Sequence, residues 1–412
     1  MRGSHVTRGF LAILALWLGL CLPWTAALSS PISPGERNKD ARFSISIMPQ
    51  MELLTAVQTQ TSWSERVEPR DSNGNAYYRA VKEFMSQYKD HRAVKVCQQL
   101  LDRGFSYDAP PTFILHLGPL PDLDLAFEYS DYIVRRAGGK EKLEEFRLAL
   151  KALAHDSDFL GFLSEWQQQF DKWIEEVERT TDLAKVVRWW EDFTGMSAGD
   201  EYHIVLCPGT FYNNYGPRLW REDIGGVAAY NIAAASTKES EDGGAVFGSA
   251  FGLESLSIHE IGHSFVNPAL EPFDKQLASI YPIYKVVESK MRAQAYTNIA
   301  TYLNEQVIRA AQAIAEEELH GPERREVSIQ SDESRGFHMT SFIVEQLEEY
   351  ATNRDTYPKF TDFIPVLLDR LAEQAQSIQA RMTTTRVVLF VAALAVLAGV
   401  WFIYRKRRSA AS

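Results

Sequence analysis

Leu253-Glu254-Ser255-Leu256-Ser257-Ile258-His259-Glu260-Ile261-Gly262-His263-Ser264-Phe265-Val266-Asn267-Pro268 is the stretch on which the reading of this chain turns. Its apolar positions, Leu253, Leu256, Ile258, Ile261 and Phe265, recur at helical spacing and predict a buried helix that Asn267-Pro268 ends sharply. Residues four apart share a helix face, so the imidazoles of His259 and His263 can reach one metal ion. Glu260 follows the first histidine, where a carboxylate can take the proton of a water that the ion activates. Two imidazoles and a carboxylate are costly inside a buried helix unless they are paired or hold a metal. A zinc site is therefore expected, against the plainer reading of core histidines satisfied by hydrogen bonds.

Zinc needs a third protein ligand and an open position. The metzincin extension would put Gly and His at Val266 and Leu270, or at Val266 and Ala269 if counted from His263, and no histidine stands there. A carboxylate from a later helix is the remaining choice. Glu305 comes first, because it sits in a mostly apolar helical pattern, Ile299 to Ile314, where a carboxylate wants a reason to be. Glu288, in Val286-Val287-Glu288, is the second candidate, and another residue stays open. An ordinary ion pair with Arg309, four residues on, is the competing account of Glu305. Donors for an oxyanion could be Tyr302, Arg309, His338, Tyr212 or Tyr215 by chemistry, and no spacing selects among them.

The 412 residues are 45% apolar and 12% aromatic, enough to bury a sizeable core. A net charge of -11 argues against nucleic acid as a partner. Three cysteines, Cys21, Cys97 and Cys207, are too few for a disulfide scaffold. Cys97 and Cys207 both have apolar neighbours and read equally as a pair or as two buried thiols.

The ends predict an address. Arg2 and Arg8, the apolar run Phe10 to Leu22 and the small residues Thr25-Ala26-Ala27 read as a signal peptide over 1–27. Leu20 stands where lipidation at Cys21 would need a small residue. The uncharged stretch Val387–Tyr404 is long enough for a transmembrane helix, and the basic tail 405–412 that follows marks the cytoplasmic side. The expectation is a single-pass protein of the cell membrane, held in the lipid bilayer, with its folded part in the bacterial periplasm or on the cell surface.

Between the ends the pattern is α+β and mostly helical. A linker is expected over 28–42 and a short strand from Phe43 to Ile47. A helical lobe over 43–195 would include helices at Tyr77–Gln87 and Arg92–Leu101. Its aromatic stripe, Phe159, Phe162, Trp166, Phe170, Trp173 and Val177 among others, reads as core. A second lobe over 196–380 would carry strands at His203–Cys207, ended by Pro208-Gly209, at Val227–Ala235 and at Ala245–Phe247. The helix of the histidines and further helices follow. The segment Ala245 to Gly248 could pair with an extended peptide as an added edge strand.

His259-Glu260-Ile261-Gly262-His263-Ser264-Phe265-Val266-Asn267-Pro268 resembles the core of an uncharacterised bacterial domain family, one carried as a domain of unknown function. Asn304-Glu305 with Arg309-Ala310 looks like its second motif, and is similar to the glutamate-bearing helix of gluzincin metallopeptidases. The resemblance covers roughly residues 43 to 380. It implies a zincin-like catalytic lobe, His259, His263 and Glu305 as zinc ligands, Glu260 as catalytic base, and no particular substrate. The expected function is a membrane-anchored, extracytoplasmic zinc metallopeptidase acting on a peptide or protein. The competing readings are an inactive zincin-fold binding or scaffold protein, and a zinc hydrolase of a non-peptide or cell-wall amide bond.

Overall fold

A computed structural model describes residues 42–67, 74–211 and 214–409. The signal peptide and all but the last residue of the linker lie outside the described residues, as does Tyr212. Strand β1 (Phe43–Ser46) precedes ten helices: α1 (Pro49–Gln58), α2 (Ser62–Val67), α3 (Ala76–Ser86), α4 (Arg92–Asp102), α5 (Ala109–Leu115), α6 (Asp131–Ala137), α7 (Lys140–Asp156), α8 (Phe159–Ser164), α9 (Gln167–Thr180) and α10 (Leu183–Thr194). Strands β2 (Glu201–Phe211), β3 (Arg218–Arg221) and β4 (Gly226–Ala235) follow. The chain then runs through α11 (Ala250–Leu270), a 3-10 turn (Glu271–Gln276), α12 (Leu277–Lys285), α13 (Glu288–Arg292), α14 (Ile299–His320), α15 (Glu323–Arg335), α16 (Thr340–Thr352) and α17 (Phe360–Ser409).

The protein is thus mostly helical around one small mixed sheet, ordered β1-β2-β4-β3, with only β3 antiparallel. The pleat sends alternate side chains to opposite faces. Tyr202, Ile204, Leu206, Ala229 and Ala233 join the core built by the C-terminal helices and α10. Val205, Cys207, Ala228, Tyr230 and Ile232 join the core built by α1 to α9. The sheet is therefore a shared floor between two hydrophobic clusters, and β1 is part of it although its partner β2 lies far along the chain.

Small side chains on the C-terminal face let α11 come close to β4, where the buried Asn231 donates to the Ser257 hydroxyl at 2.8 Å. On the other side α10 packs onto α11. The Trp190 indole donates to the Ile258 carbonyl at 2.9 Å, and a Cβ at Gly262 would lie 2.5 Å from that ring. Gly262 is the one residue type that admits this approach.

Four expectations are corrected. Helix α11 does not stop at Pro268 but runs to Leu270. Proline removes the N–H that would bond the Ser264 carbonyl, and the Arg218 guanidinium donates to that oxygen instead at 3.4 Å. Pro208-Gly209 does not end β2; it makes a bulge between Cys207 and Phe211, with the Pro208 carbonyl accepting from Asn75 at 2.8 Å. Ala245–Phe247 is no strand, since a glycine-bounded turn leaves it one backbone bond, Ser236 N–H to the Val246 carbonyl. Strand β3, Arg218–Arg221, which the residue pattern did not announce, forms the edge of the sheet beside β4. The aromatic stripe breaks at Trp166 into α8 and α9, and its rings surround Tyr77. Cys97 and Cys207 are both buried and unpaired.

Helix α17 spans 50 residues. Its first part packs in the core through Phe363, Ile364, Leu367, Leu371 and Ala375. It then leaves the body, and Val388, Phe390, Val391, Leu394 and Val396 are exposed. Its rise of about 1.5 Å per residue places Val388 roughly 20 Å beyond Ala375. This end is long and apolar enough to cross a membrane, and no other helix among the described residues is.

Candidate metal centre

Ser249 caps α11, its hydroxyl accepting from Gly252 N–H, and Asn298 caps α14 in the same way through Thr301. Between them α14 turns an alanine-rich face to the core, Ala310, Ala311, Ala313 and Ala315 all being buried, and packs directly against α11. That contact brings Glu305 onto the histidine face of α11. His259 Nε2 lies 3.4 Å from one Glu305 oxygen and His263 Nε2 lies 3.4 Å from the other. The three donor atoms fall within 4.8 Å of one another, so this group could hold a metal ion.

The chemistry of the surroundings fits that use. Ligand atoms about 2.0–2.1 Å from a tetrahedral ion sit about 3.4 Å apart, close to the two distances found. His263 Nδ1 faces the Asn267 side-chain oxygen at 3.3 Å, and His259 Nδ1 faces that of Gln312 at 3.1 Å. An oxygen acceptor at Nδ1 keeps the proton there and leaves the Nε2 lone pair for a cation. Glu305 is held in turn by Arg309 at 3.0 Å and Tyr296 at 3.4 Å, and Arg309 reaches Asp332 at 3.1 Å. Burial alone would push the Glu305 carboxyl up, but the charges of His259 and Arg309 win and hold it far below the ordinary range.

Glu260 is buried on the same helix and lines the same cleft. Burial pushes its carboxyl up to about 7, with His259 and Arg309 pulling down and Glu305 pushing up. The cleft holds about 1900 Å³ and lies between the two hydrophobic clusters: Tyr107, Asp108 and Tyr132 face it from the N-terminal side, α11, α14 and α15 from the other. Its wall at Glu260 is formed by Tyr215-Gly216-Pro217. Tyr215 pairs with Ile232 on β4, and a Cβ at Gly216 would lie 1.9 Å from the Glu260 carbonyl oxygen.

The structure separates the sequence candidates. Glu305 meets both histidines and also makes the ion pair with Arg309, so that pair does not draw it away from them. Glu288 is turned to Lys285 at 2.5 Å and Arg292 at 3.2 Å, away from the histidines. Among the oxyanion candidates, Tyr215 and Arg309 line the cleft. Tyr302 and His338 bond each other at 3.1 Å behind it, Tyr302 being fully buried. Gln312, Asn267, Tyr296 and Asp332 were not singled out as site residues. A signal existed for Gln312: Glu305, Arg309, Gln312 and Glu316 recur at steps of four, three and four, a polar stripe on an otherwise buried helix.

Fold and site together define a mostly helical protein with a small mixed sheet, an inter-cluster cleft and a His-His-Glu group able to take a metal ion. The chain belongs to the family described as Domain of unknown function (DUF4932), which matches residues 43–369. No curated protein and no solved structure matches it.

Proposed function

We propose that this protein is a zinc-dependent metallopeptidase, its second half a zincin-like catalytic lobe, anchored by the C-terminal part of α17 with the body outside the cytoplasm. The observation that carries this reading is the convergence of His259 Nε2, His263 Nε2 and the Glu305 carboxylate at 3.4 Å spacings on the floor of a cleft that Glu260 also lines. Two imidazoles, one carboxylate and a cleft on the open side suit zinc better than the harder cations, which favour oxygen donors throughout. Bound there, zinc would supply a Lewis acid that polarises a carbonyl and acidifies water.

The rest of the work falls to the chain. Glu260, buried beside the ligands, takes a proton from the attacking water and returns it to the leaving amine, a task suited to a carboxyl held near neutrality. Tyr215 is kept protonated by burial and by the charges of Asp108 and Glu260, so its hydroxyl is available to donate to the carbonyl oxygen as charge develops there. Arg309 and Tyr296 orient Glu305 and stop it from turning away from the histidines.

The test is elemental analysis of the full chain in detergent beside a digest of a peptide library. About one zinc per chain is expected, retained in Glu260→Gln and lost in His263→Ala, with cleavage absent from both variants. Equal cleavage by parent and Glu260→Gln would refute the mechanism. Zinc retained without cleavage of any peptide by the parent would favour a binding module built on the same site.

A further inference from the structure

We propose that Gln312, locked by Glu316, is a positioning residue that fixes the tautomer of His259 and so sets the affinity of the metal site. The proposal rests on the metal-site reading above and goes beyond it by assigning the second layer of the site to a particular pair on α14.

An amide side chain has a donor end and an acceptor end, and electron density alone seldom tells them apart. Here the neighbours decide. Gln312 Nε2 lies 2.9 Å from a Glu316 oxygen, 3.0 Å from the Ser255 hydroxyl and 3.2 Å from the Ser255 main-chain carbonyl. A carbonyl can only accept, and the Ser255 hydroxyl spends its own proton on the same Glu316 oxygen. An amide oxygen turned toward that cluster would meet acceptors only. The NH2 end must therefore face Ser255 and Glu316, which leaves Oε1 pointing at His259 Nδ1, 3.1 Å away. That nitrogen must then carry a proton, which leaves Nε2, the atom facing Glu305, as the position from which the ring can offer a lone pair to a cation.

Glu316 is itself immobilised. It is 3% exposed, and the Ser255 and Ser328 hydroxyls donate to its two oxygens from α11 and α15. Three helices thus converge to orient one amide. His263 has no comparable arrangement, since its Nδ1 is met by Asn267 at 3.3 Å from the next turn of the same helix. The two imidazoles are held unequally, and His259 is the preorganised one.

The experiment measures zinc affinity of the full chain in detergent by competition with a chromogenic chelator, alongside the melting temperature of each metal-free protein. Gln312→Leu keeps the bulk and removes the acceptor, and should bind zinc about 10–100-fold more weakly. The double variant Gln312→Glu with Glu316→Gln exchanges the two groups. It still sets an acceptor oxygen against Nδ1 and a donor behind it, though its second oxygen faces the Ser255 carbonyl without a proton, so its affinity should recover part of the way toward the parent's. A purely structural role would lower both variants alike in step with their melting temperatures. Parent-like affinity in Gln312→Leu, or a double variant as weak as the single one at equal stability, overturns the proposal. Should Gln312→Leu fail to fold, Gln312→Ala leaves a gap in place of an apolar contact and is read the same way. A parent that binds no zinc brings down the metal-site reading and this one with it, whereas a zinc-binding parent matched by Gln312→Leu brings down only the positioning role.

Discussion

Glu52 offers a stability test that is independent of the metal. It sits on α1 under the bulge of β2, fully buried, with neither carboxyl oxygen completing a well-formed hydrogen bond. A Cβ at Gly209 would stand 3.0 Å from one of those oxygens, so the bulge packs closely on the carboxyl. Burial pushes this carboxyl from 4.5 up to about 8, against a smaller pull from Tyr77 and Gly209. Below about pH 4.5 the group is protonated in both folded and unfolded chains and has no effect on their balance. Above it the unfolded chain ionises while the folded one keeps its proton, so stability falls as pH rises, and the fall ends only near pH 8. At about 1.4 kcal/mol per pH unit, roughly 3.5 units of separation amount to a loss of roughly 5 kcal/mol. Glu52→Gln is neutral throughout and nearly isosteric. Urea unfolding of parent and variant at pH 5, 6, 7 and 7.5 should show the variant gaining on the parent by about 3 kcal/mol across that window. Tyr77 and Cys207, the titratable neighbours, are both pushed well above it by burial and do not enter the difference. A difference between the two proteins that stays constant with pH would refute the reasoning.

Gly262→Ala puts a methyl 2.5 Å from the Trp190 ring; despite the gain in helix propensity of about 1 kcal/mol, thermal melts should show a net loss of about 1–3 kcal/mol. In Gly216→Ala the new Cβ would stand 1.9 Å from the Glu260 carbonyl oxygen, so the wall must retreat by more than 1 Å. Zinc should stay bound while kcat/KM on a cleaved library peptide drops about 100-fold, and parent-like turnover would count against Tyr215 as donor. Ending the chain after Ala380 removes the apolar part of α17 and keeps the buried part, so the protein should move from the membrane fraction to the soluble one on centrifugation.

The helix of His259 and His263, its buried character and the role open to Glu260 were legible because helical periodicity is local: three or four residues decide which side chains share a face. The polar stripe Glu305-Arg309-Gln312-Glu316 was legible by the same rule, though only its first two members were recognised. The apolar end of α17 and its basic flank were equally plain, since crossing a bilayer depends on length and composition.

What local pattern could not supply was everything that depends on a second element. Nothing in the residues near Glu288 says that Lys285 and Arg292 capture it, and nothing near Glu305 says that alanines lower on α14 let that helix close on α11. Pro268 ought to have ended its helix, and it fails to because Arg218, from the edge strand, supplies the missing donor. Strand β3 escaped notice because four residues with two arginines and an exposed Trp220 become a strand only when β4 offers a partner. The sequence alone determined a buried histidine helix and a C-terminal helix long and apolar enough to cross a membrane. Tertiary structure alone decided which carboxylate meets the histidines, because hydrogen bonds and close packing between helices distant in sequence are satisfied only once the chain has closed on itself.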